Sequence, residues 1–437
     1  MALVIAILYT VLTHLSPMDV VPALAPFRIM IWVMAAGVVS TLTNSPYFGY
    51  ILRAPQPYLV VCFIGMTAVT RILRGWFGGA HLALMDILPS VMPFFLIAFN
   101  VYRLSQIRWL IASLAAASLY MLIPGIYAYW TIDPTLLHPL LFQQRVLQPD
   151  GTYEVFSRLR YYGILNDPND YAQFLLVVAG LLLVFWKKGS LVRNMVVLFT
   201  EVMILYGVFL THSRGAVLAI AVMAGFILKD RYGAGSAVLS TTLLVTLLLA
   251  MGFTGGREIS MESGEGRTDA WSEGMGMFKS SPLWGVGYGS FLEYHNKTAH
   301  NSFLLCLSEM GLIGCFFWVG IIVVSVLQLK RLAWRAGTGP DAEEVQRYAR
   351  ILRYPLYSFL TTSWFLSRTY SPTLFSLLAL VMALGTVQRV GQSVPEPTLQ
   401  SLQEGKSLIT NWASVTVMCE FASIALIYIT LRLRSFV

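Results

Sequence analysis

Apolar windows of about 15 to 25 residues, separated by short polar stretches, recur along the whole chain. They fall near residues 2–15, 27–43, 57–71, 82–101, 107–130, 171–186, 193–211, 214–228, 236–253, 300–328, 354–369 and 372–388. A helix rising 1.5 Å per residue needs roughly 20 residues to cross about 30 Å of hydrocarbon, and tilt and snorkelling accommodate the shorter windows. Only helices or closed barrels satisfy their backbone groups in lipid, so this pattern predicts an all-α polytopic membrane protein with about 12 transmembrane helices. A thirteenth apolar stretch, 411–431, contains Glu420 and runs into Arg432 and Arg434. Spanning would carry those arginines to the wrong side, so it reads either as an interfacial helix or as one more span.

The chain accordingly divides into N-terminal spans (1–130), a polar excursion (131–170), central spans (171–253), a large loop (254–299), C-terminal spans (300–388), and a polar linker with the last apolar stretch (389–437). Orientation follows from the basic loops. Lys187, Lys188 and Arg193 flank one, Lys229 and Arg231 another, and Lys330, Arg331, Arg335, Arg347, Arg350 and Arg353 crowd a third. All three alternate correctly if cytoplasmic. Both long excursions, and the short turn at Thr211–Gly215, then emerge together on the opposite face.

Composition agrees. Of 437 residues, 57% are hydrophobic and 12% charged, against about 25% charged in soluble domains. The net charge of +8 sits in short loops, where it marks topology and contacts anionic membrane lipids rather than nucleic acid. Cys62, Cys306, Cys315 and Cys419 lie in or beside apolar windows without a CxxC pair, which points to small core residues and leaves no metal site. The start, MALVIAILYTVLTHLS, lacks a charged n-region and an A-x-A site, so it reads as a retained span rather than a signal peptide. Gly405-Lys406-Ser407 in the linker lacks the upstream glycine and strand of a phosphate-binding loop. Without a nucleotide site, energy for transport or synthesis must come from an ion gradient or an activated substrate.

Charge at a membrane is expensive and marks candidate function. Arg160 opens RYYGILNDPNDYAQ, Arg214 sits in THSRG between two spans, and Arg267 and His300 belong to the large loop. Thr268 or Asp269 can cap a helix behind Arg267, with Trp271, Met275 and Phe278 on one face, giving an amphipathic helix on the membrane surface whose N-terminus and arginine suit a phosphate. The plainer alternative is a helix stapled to headgroups with a solvated arginine. Positive-inside statistics disfavour Arg214 in an outer turn, so it wants an anionic partner, in the site or among lipid phosphates. Asp167, Asn169 and Asp170 read as turn and cap residues. His300, beside Asn301 and Ser302 at a helix start, suits a general base if neighbouring arginines keep it neutral, or simply a satisfied interface histidine. His295 competes with it. Glu309 is out of phase with His300 and reads as packing or a helix–helix hydrogen bond. Gly285, Gly287 and Gly289 permit a tight backbone turn, and Asp86, near Pro89 and Pro93, offers a proton-relay carboxylate.

RYYGILNDPNDYA, SRG, GRTDAW, SPLWGVGYGSF and HNSFLLCLSEMGLIG, in that order and on one face, resemble the O-antigen ligase and polymerase superfamily of bacterial inner membranes over roughly residues 158–325. The resemblance implies a GT-C-type glycosyltransferase with a periplasmic active site. It would use an undecaprenyl-pyrophosphate-linked glycan as donor and, in ligase members, lipid A-core as acceptor, with inversion and with no metal or cofactor. By motif, Arg214 and Arg267 correspond to arginines that hold the pyrophosphate, His300 to the base, and Arg160 to a recurrent arginine. Trp271, Asn301, Gly287 and His295 are secondary candidates. A polymerase using the same donor, and a polysaccharide flippase or ion-coupled transporter, are the competing readings.

Overall fold

The computed structural model describes residues 1–147, 153–250, 261–334, 341–391 and 411–434. Most of the linker, including Gly405-Lys406-Ser407, and the first residues of the large loop lie outside the described residues.

Fourteen long helices form the described structure. They are α1 (Ala2–Leu15), α2 (Ile29–Asn44), α3 (Pro55–Leu73), α4 (Phe77–Asn100), α5 (Leu104–Thr131), α6 (Pro168–Leu182), α7 (Leu191–Leu210), α8 (Arg214–Tyr232), α9 (Ala234–Ala250), α10 (Met261–Ser280), α11 (Ser302–Trp334), α12 (Ala342–Ser363), α13 (Pro372–Gly391) and α14 (Trp412–Arg434). Eight of them, α3, α4, α5, α6, α7, α11, α13 and α14, are long and apolar enough to cross a membrane. The chain is a polytopic helical membrane protein, but the twelve spans expected from the sequence are not all of that class. Helices α1, α2 and α9 are apolar but short. The expected window 354–369 is displaced: α12 starts in the charged segment behind Asp341 and stops at Ser363, leaving 364–371 as a loop. The open question of the C-terminal stretch resolves toward a span-length helix. α14 packs along α11 and α10 and buries Glu420 against Cys315.

Two features of the fold were not expected. The first is an antiparallel hairpin in the 131–170 excursion, β1 (Leu141–Leu147) with β2 (Tyr153–Leu159), in which Phe142 faces Arg158 and Leu141 faces Leu159. The second is a break inside α11 at Gly311, whose φ of 63° and ψ of −167° are not helical.

That break explains two of the sequence motifs at once. Interrupting a helix frees backbone donors and acceptors that lipid cannot satisfy. The SPLWGVG segment supplies their partners. Val286 N donates to Ser308 O (2.8 Å) and Gly287 N to Glu309 O (2.9 Å), while Leu312 N and Ile313 N donate to Pro282 O (2.9 Å) and Leu283 O (3.2 Å). Two glycines face each other across this crossing. A Cβ on Gly285 would lie 2.3 Å from the Glu309 carbonyl carbon, and one on Gly311 2.4 Å from that of Leu283; both residues also have positive φ.

Side chains complete the anchor. The Glu309 carboxylate accepts from Phe291 N (3.1 Å) and the Tyr370 hydroxyl (2.7 Å), so it bonds to the glycine-rich loop and the 364–371 loop rather than across two helices. Asp86, which the sequence offers as a proton relay, accepts from the Tyr288 hydroxyl (2.6 Å) and moors the same loop to α4.

Gly285→Ala and Gly311→Ala are therefore each expected to destabilise the protein by at least about 2 kcal/mol, the cost of a strained positive-φ residue compounded by backbone overlap. Gly276→Ala, in the exposed middle of α10 with nothing within 4 Å of its Cβ, is expected to be neutral or mildly stabilising. Thermal unfolding of the detergent-solubilised variants measures both.

Candidate active site

The ends of α5, α6, α7, α8, α11, α12 and α13 meet at one end of the bundle, and four segments there are sewn together. β2 contributes Arg158, which is buried; its Nε donates to Thr211 O (2.9 Å) and its Nη2 to Asn169 Oδ1 (3.0 Å). The α7–α8 turn is gripped further at His212, whose Nε2 meets the Tyr129 hydroxyl at 3.0 Å and whose ring lies 4.5 Å from that of Phe156. Arg214 is the first residue of α8. Its position is thus set by the hairpin through the turn that precedes it.

The start of α6 is built as expected. Pro168 occupies the first turn, where its missing N–H costs nothing, and the Asp167 carboxylate accepts from Asn169 N (2.7 Å) as cap. Asp170 is buried and forms an ion pair with Arg368 of the 364–371 loop, while Arg368 Nη1 also donates to Ile164 O (3.4 Å).

That loop in turn fixes the start of α11. Ser367 Oγ accepts from His300 N (2.8 Å), Ser302 Oγ donates to Leu366 O (2.6 Å) and accepts from Arg368 N (2.7 Å), and Thr369 Oγ1 donates to Ser302 O (2.7 Å). His300 has φ +48°, a left-handed conformation that costs a non-glycine residue about 1–3 kcal/mol and persists where the surroundings impose it. Asn301 is fully buried and its Oδ1 accepts from Phe303 N and Leu304 N. It is the helix cap, and His300 is the residue immediately before that cap.

The large loop departs from expectation at Arg267. The arginine lies inside α10, which begins at Met261, so neither Thr268 nor Asp269 caps the helix and no free N-terminus adjoins the guanidinium. Nor does the apolar face rest on the membrane. Trp271 and Met275 are buried with Leu304, Leu305 and Ile427 of α11 and α14, and Trp271 sets its ring at right angles to Trp364. Packing against protein rather than lipid holds Arg267 at a fixed height over the α11 start.

The charges converge. Arg267 feels both the Arg214 cation and the Asp167 carboxylate. Burial lowers the His300 pKa below its ordinary 6.5, Arg267 lowers it further with smaller effects from Lys297 and His295, and Asp167 opposes them. The imidazole is therefore neutral at neutral pH. Asp167 also acts on Arg160 and on Arg368, whose burial brings its pKa down to about 10. One exposed carboxylate thus faces Arg160, Arg267, Arg368 and His300, and such an excess of partly buried cations suits a polyanion. Among the described residues no three His, Cys, Asp or Glu side chains cluster as metal ligands.

Residues 199–319 match the family model described as O-antigen ligase. That segment is similar to the O-antigen ligase superfamily. No curated protein matches the chain. The matched segment runs from α7 into α11 and includes Arg214, Arg267 and His300, whereas Arg158, Arg160, Asp167 and Arg368 lie outside it.

The other candidates sort by their contacts. His295 is half-exposed, and its Nδ1 is engaged by Lys297 N (3.0 Å) within its own turn. Gly287 belongs to the anchor at the α11 break. Arg160 donates from Nε to Pro139 O (3.0 Å) and stacks over the Phe142 ring, so its side chain faces the hairpin. Sequence reasoning missed Arg158, Arg368 and the central place of Asp167. Arg368 carries the same signal as Arg214, an arginine in a short connection between spans at this end, but the apolar window drawn to 369 conceals it.

The signs of these interactions are testable on His300 directly. Removing the cation in Arg267→Ala is expected to raise the His300 pKa, and removing the carboxylate charge in Asp167→Asn to lower it further below 6.5. Histidine C2 hydrogen–deuterium exchange, followed across pH by mass spectrometry, reads both shifts.

Proposed function

We propose that this chain is a member of the O-antigen ligase superfamily and is the ligase itself. It transfers glycan from undecaprenyl pyrophosphate to a sugar hydroxyl of lipid A-core, in the bacterial inner membrane and at the periplasmic face. The observation that carries the reading is the convergence of Arg214 and Arg267 with a neutral His300 at one end of the bundle.

The chemistry follows from that placement. His300 takes the proton of the acceptor hydroxyl as its oxygen attacks the anomeric carbon from the face opposite the leaving group. The carbon–oxygen bond to the pyrophosphate breaks, configuration inverts, and the carrier leaves with the bonding electron pair. Negative charge grows on the bridging oxygen during this step, so guanidinium groups aimed there stabilise the transition state more than the bound donor. Arg214 and Arg267 take that role, and Arg368 and Arg160 add to the field. Burial strengthens each interaction by lowering the local dielectric. The donor is already activated, so neither nucleotide nor ion gradient is needed.

Purified full-length protein in nanodiscs, given undecaprenyl-pyrophosphate-linked glycan and lipid A-core, is expected to place glycan on lipid A-core. Arg267→Ala is expected to slow transfer about 10²- to 10³-fold, the effect of losing about 2.7–4 kcal/mol of oxyanion stabilisation. His300→Ala should cost about 10²- to 10⁴-fold. Elongated lipid-linked glycan instead would make the protein a polymerase, and no transfer to either acceptor would return the transporter reading.

A further inference from the structure

The hairpin encloses a cavity of about 880 Å³ lined by Thr135, Leu137, His138, Phe142, Gln143 and Arg160, among others. Its volume falls within the roughly 300–1,000 Å³ of sites that hold small molecules. Of its lining residues, only Arg160 enters the donor chemistry described above.

Three observations define what fits. The walls combine an aromatic face with polar groups of both senses. Phe142 is partly exposed. His138 Nδ1 accepts from Leu140 N (3.3 Å), which leaves Nε2 as the ring's donor. The Gln143 amide nitrogen donates to Leu136 O, which leaves its second N–H as a donor and its side-chain oxygen as an acceptor. A sugar ring presents an apolar C–H face and a rim of hydroxyls that donate and accept, and it matches such a lining. Next, Arg160 brings a fixed cation into the wall, held by Pro139 O and the Phe142 ring, which selects a saccharide bearing an anionic substituent. Finally, the cavity begins a few residues beyond the end of α5. There Tyr127 and Trp130 are exposed like an interfacial aromatic belt, and Leu136 and Leu137 are exposed beside the opening. A ligand reaching it at that height is anchored in lipid.

We propose that this cavity binds the anionic saccharide of the lipid-anchored acceptor, with Phe142 and Gln143 as specificity-determining residues. The inference rests on the ligase reading for the word acceptor. Arg160 links the two regions, since it lines the cavity and shares the field of Asp167 with Arg267 and His300.

The test separates the cavity from the reaction. Isothermal titration of the detergent-solubilised full-length protein would use three probes: phosphorylated core oligosaccharide released from rough-type lipopolysaccharide, the same oligosaccharide dephosphorylated, and the donor glycan released from its carrier. Wild type is expected to bind the phosphorylated core oligosaccharide at least tenfold more tightly than the other two. Phe142→Ala and Arg160→Gln should each weaken that binding about tenfold, and Arg160→Gln should also abolish the preference for phosphate. In transfer assays, Phe142→Ala and Gln143→Ala should raise the acceptor KM about tenfold at unchanged donor KM. Unchanged binding in the variants, tighter binding of the donor glycan, or a raised donor KM would each overturn the assignment. Transfer that persists with unaltered acceptor KM in both variants sinks the cavity and leaves the ligase standing. Core binding that is lost in Phe142→Ala, in a protein that transfers nothing, sinks the ligase and leaves the cavity standing.

Discussion

A helix cannot be broken inside a membrane unless something else bonds its freed backbone, and the structure turns on how this chain meets that demand at Gly311. The glycine-rich segment 282–287 lies across the break and exchanges four backbone hydrogen bonds with it. Gly285 and Gly311 are required in the literal sense that a Cβ at either would overlap the other strand's carbonyl. From this crossing the chain is led outward under control: Tyr288 is tied to Asp86, Phe291 N to Glu309, and Tyr370 to the same carboxylate. The loop that ends at His300 is therefore fixed at its inner end by the core of the bundle. It is fixed at its outer end by Ser367. An imidazole on a non-glycine left-handed residue needs such double restraint.

The charges at this end of the bundle are organised against stability. Arg214 and Arg267 disfavour one another, Arg267 disfavours an imidazolium at His300, and Asp167 offsets only part of this. Where a fold has no functional reason to do so, it separates like charges or pairs each one, as it does with Arg353 and Asp230 at 2.7 Å on another part of the helix bundle. Buried Asp170 is matched to Arg368 in the same way. The imbalance around His300 is localised where a bound anion would supply the missing negative charge, and burial, reinforced by Arg267, keeps the histidine unprotonated and able to accept a proton.

Much of this was legible in the sequence because it depends on local pattern. Apolar periodicity located the helices, basic loops grouped Arg160, Arg214, Arg267 and His300 at one end, and the motif order pointed to the superfamily. What was not legible depends on pairing between distant segments. The window around residues 300–328 is apolar on both sides of Ser308-Glu309-Met310-Gly311, and one acid beside a glycine does not by itself report a break; its partners lie in the distant segment near residue 285. The hairpin was hidden because β1 and β2 are short and separated by polar residues, in a stretch whose only conspicuous features were its prolines and arginines. Arg267 was placed ahead of a helix because Thr268 and Asp269 are good caps, but packing of Trp271 and Met275 on α11 and α14 stabilises a helix that starts further upstream. Local cap preference, worth about 1 kcal/mol, yields to burial of two large apolar side chains, each worth about 1.5–3 kcal/mol.

The hairpin shows how the two halves of the site are coupled. Side chains alternate across a strand, and directly paired residues share a face, so Phe142, Phe156, Arg158 and Arg160 lie on one side of the sheet. Phe156 and Arg158 of that face hold His212 and Thr211 in the turn that delivers Arg214. Phe142 and Arg160 of the same face line the cavity. The two sets are rigidly connected through the ladder of the hairpin and through residues two apart on one strand. The residues that line the cavity and those that hold the turn before Arg214 are therefore neighbours on one face of a two-stranded ladder. The wall of the cavity and the support of the turn before Arg214 are one element, which gives the segment 131–170 a mechanical reason to be folded rather than a loose connection between spans.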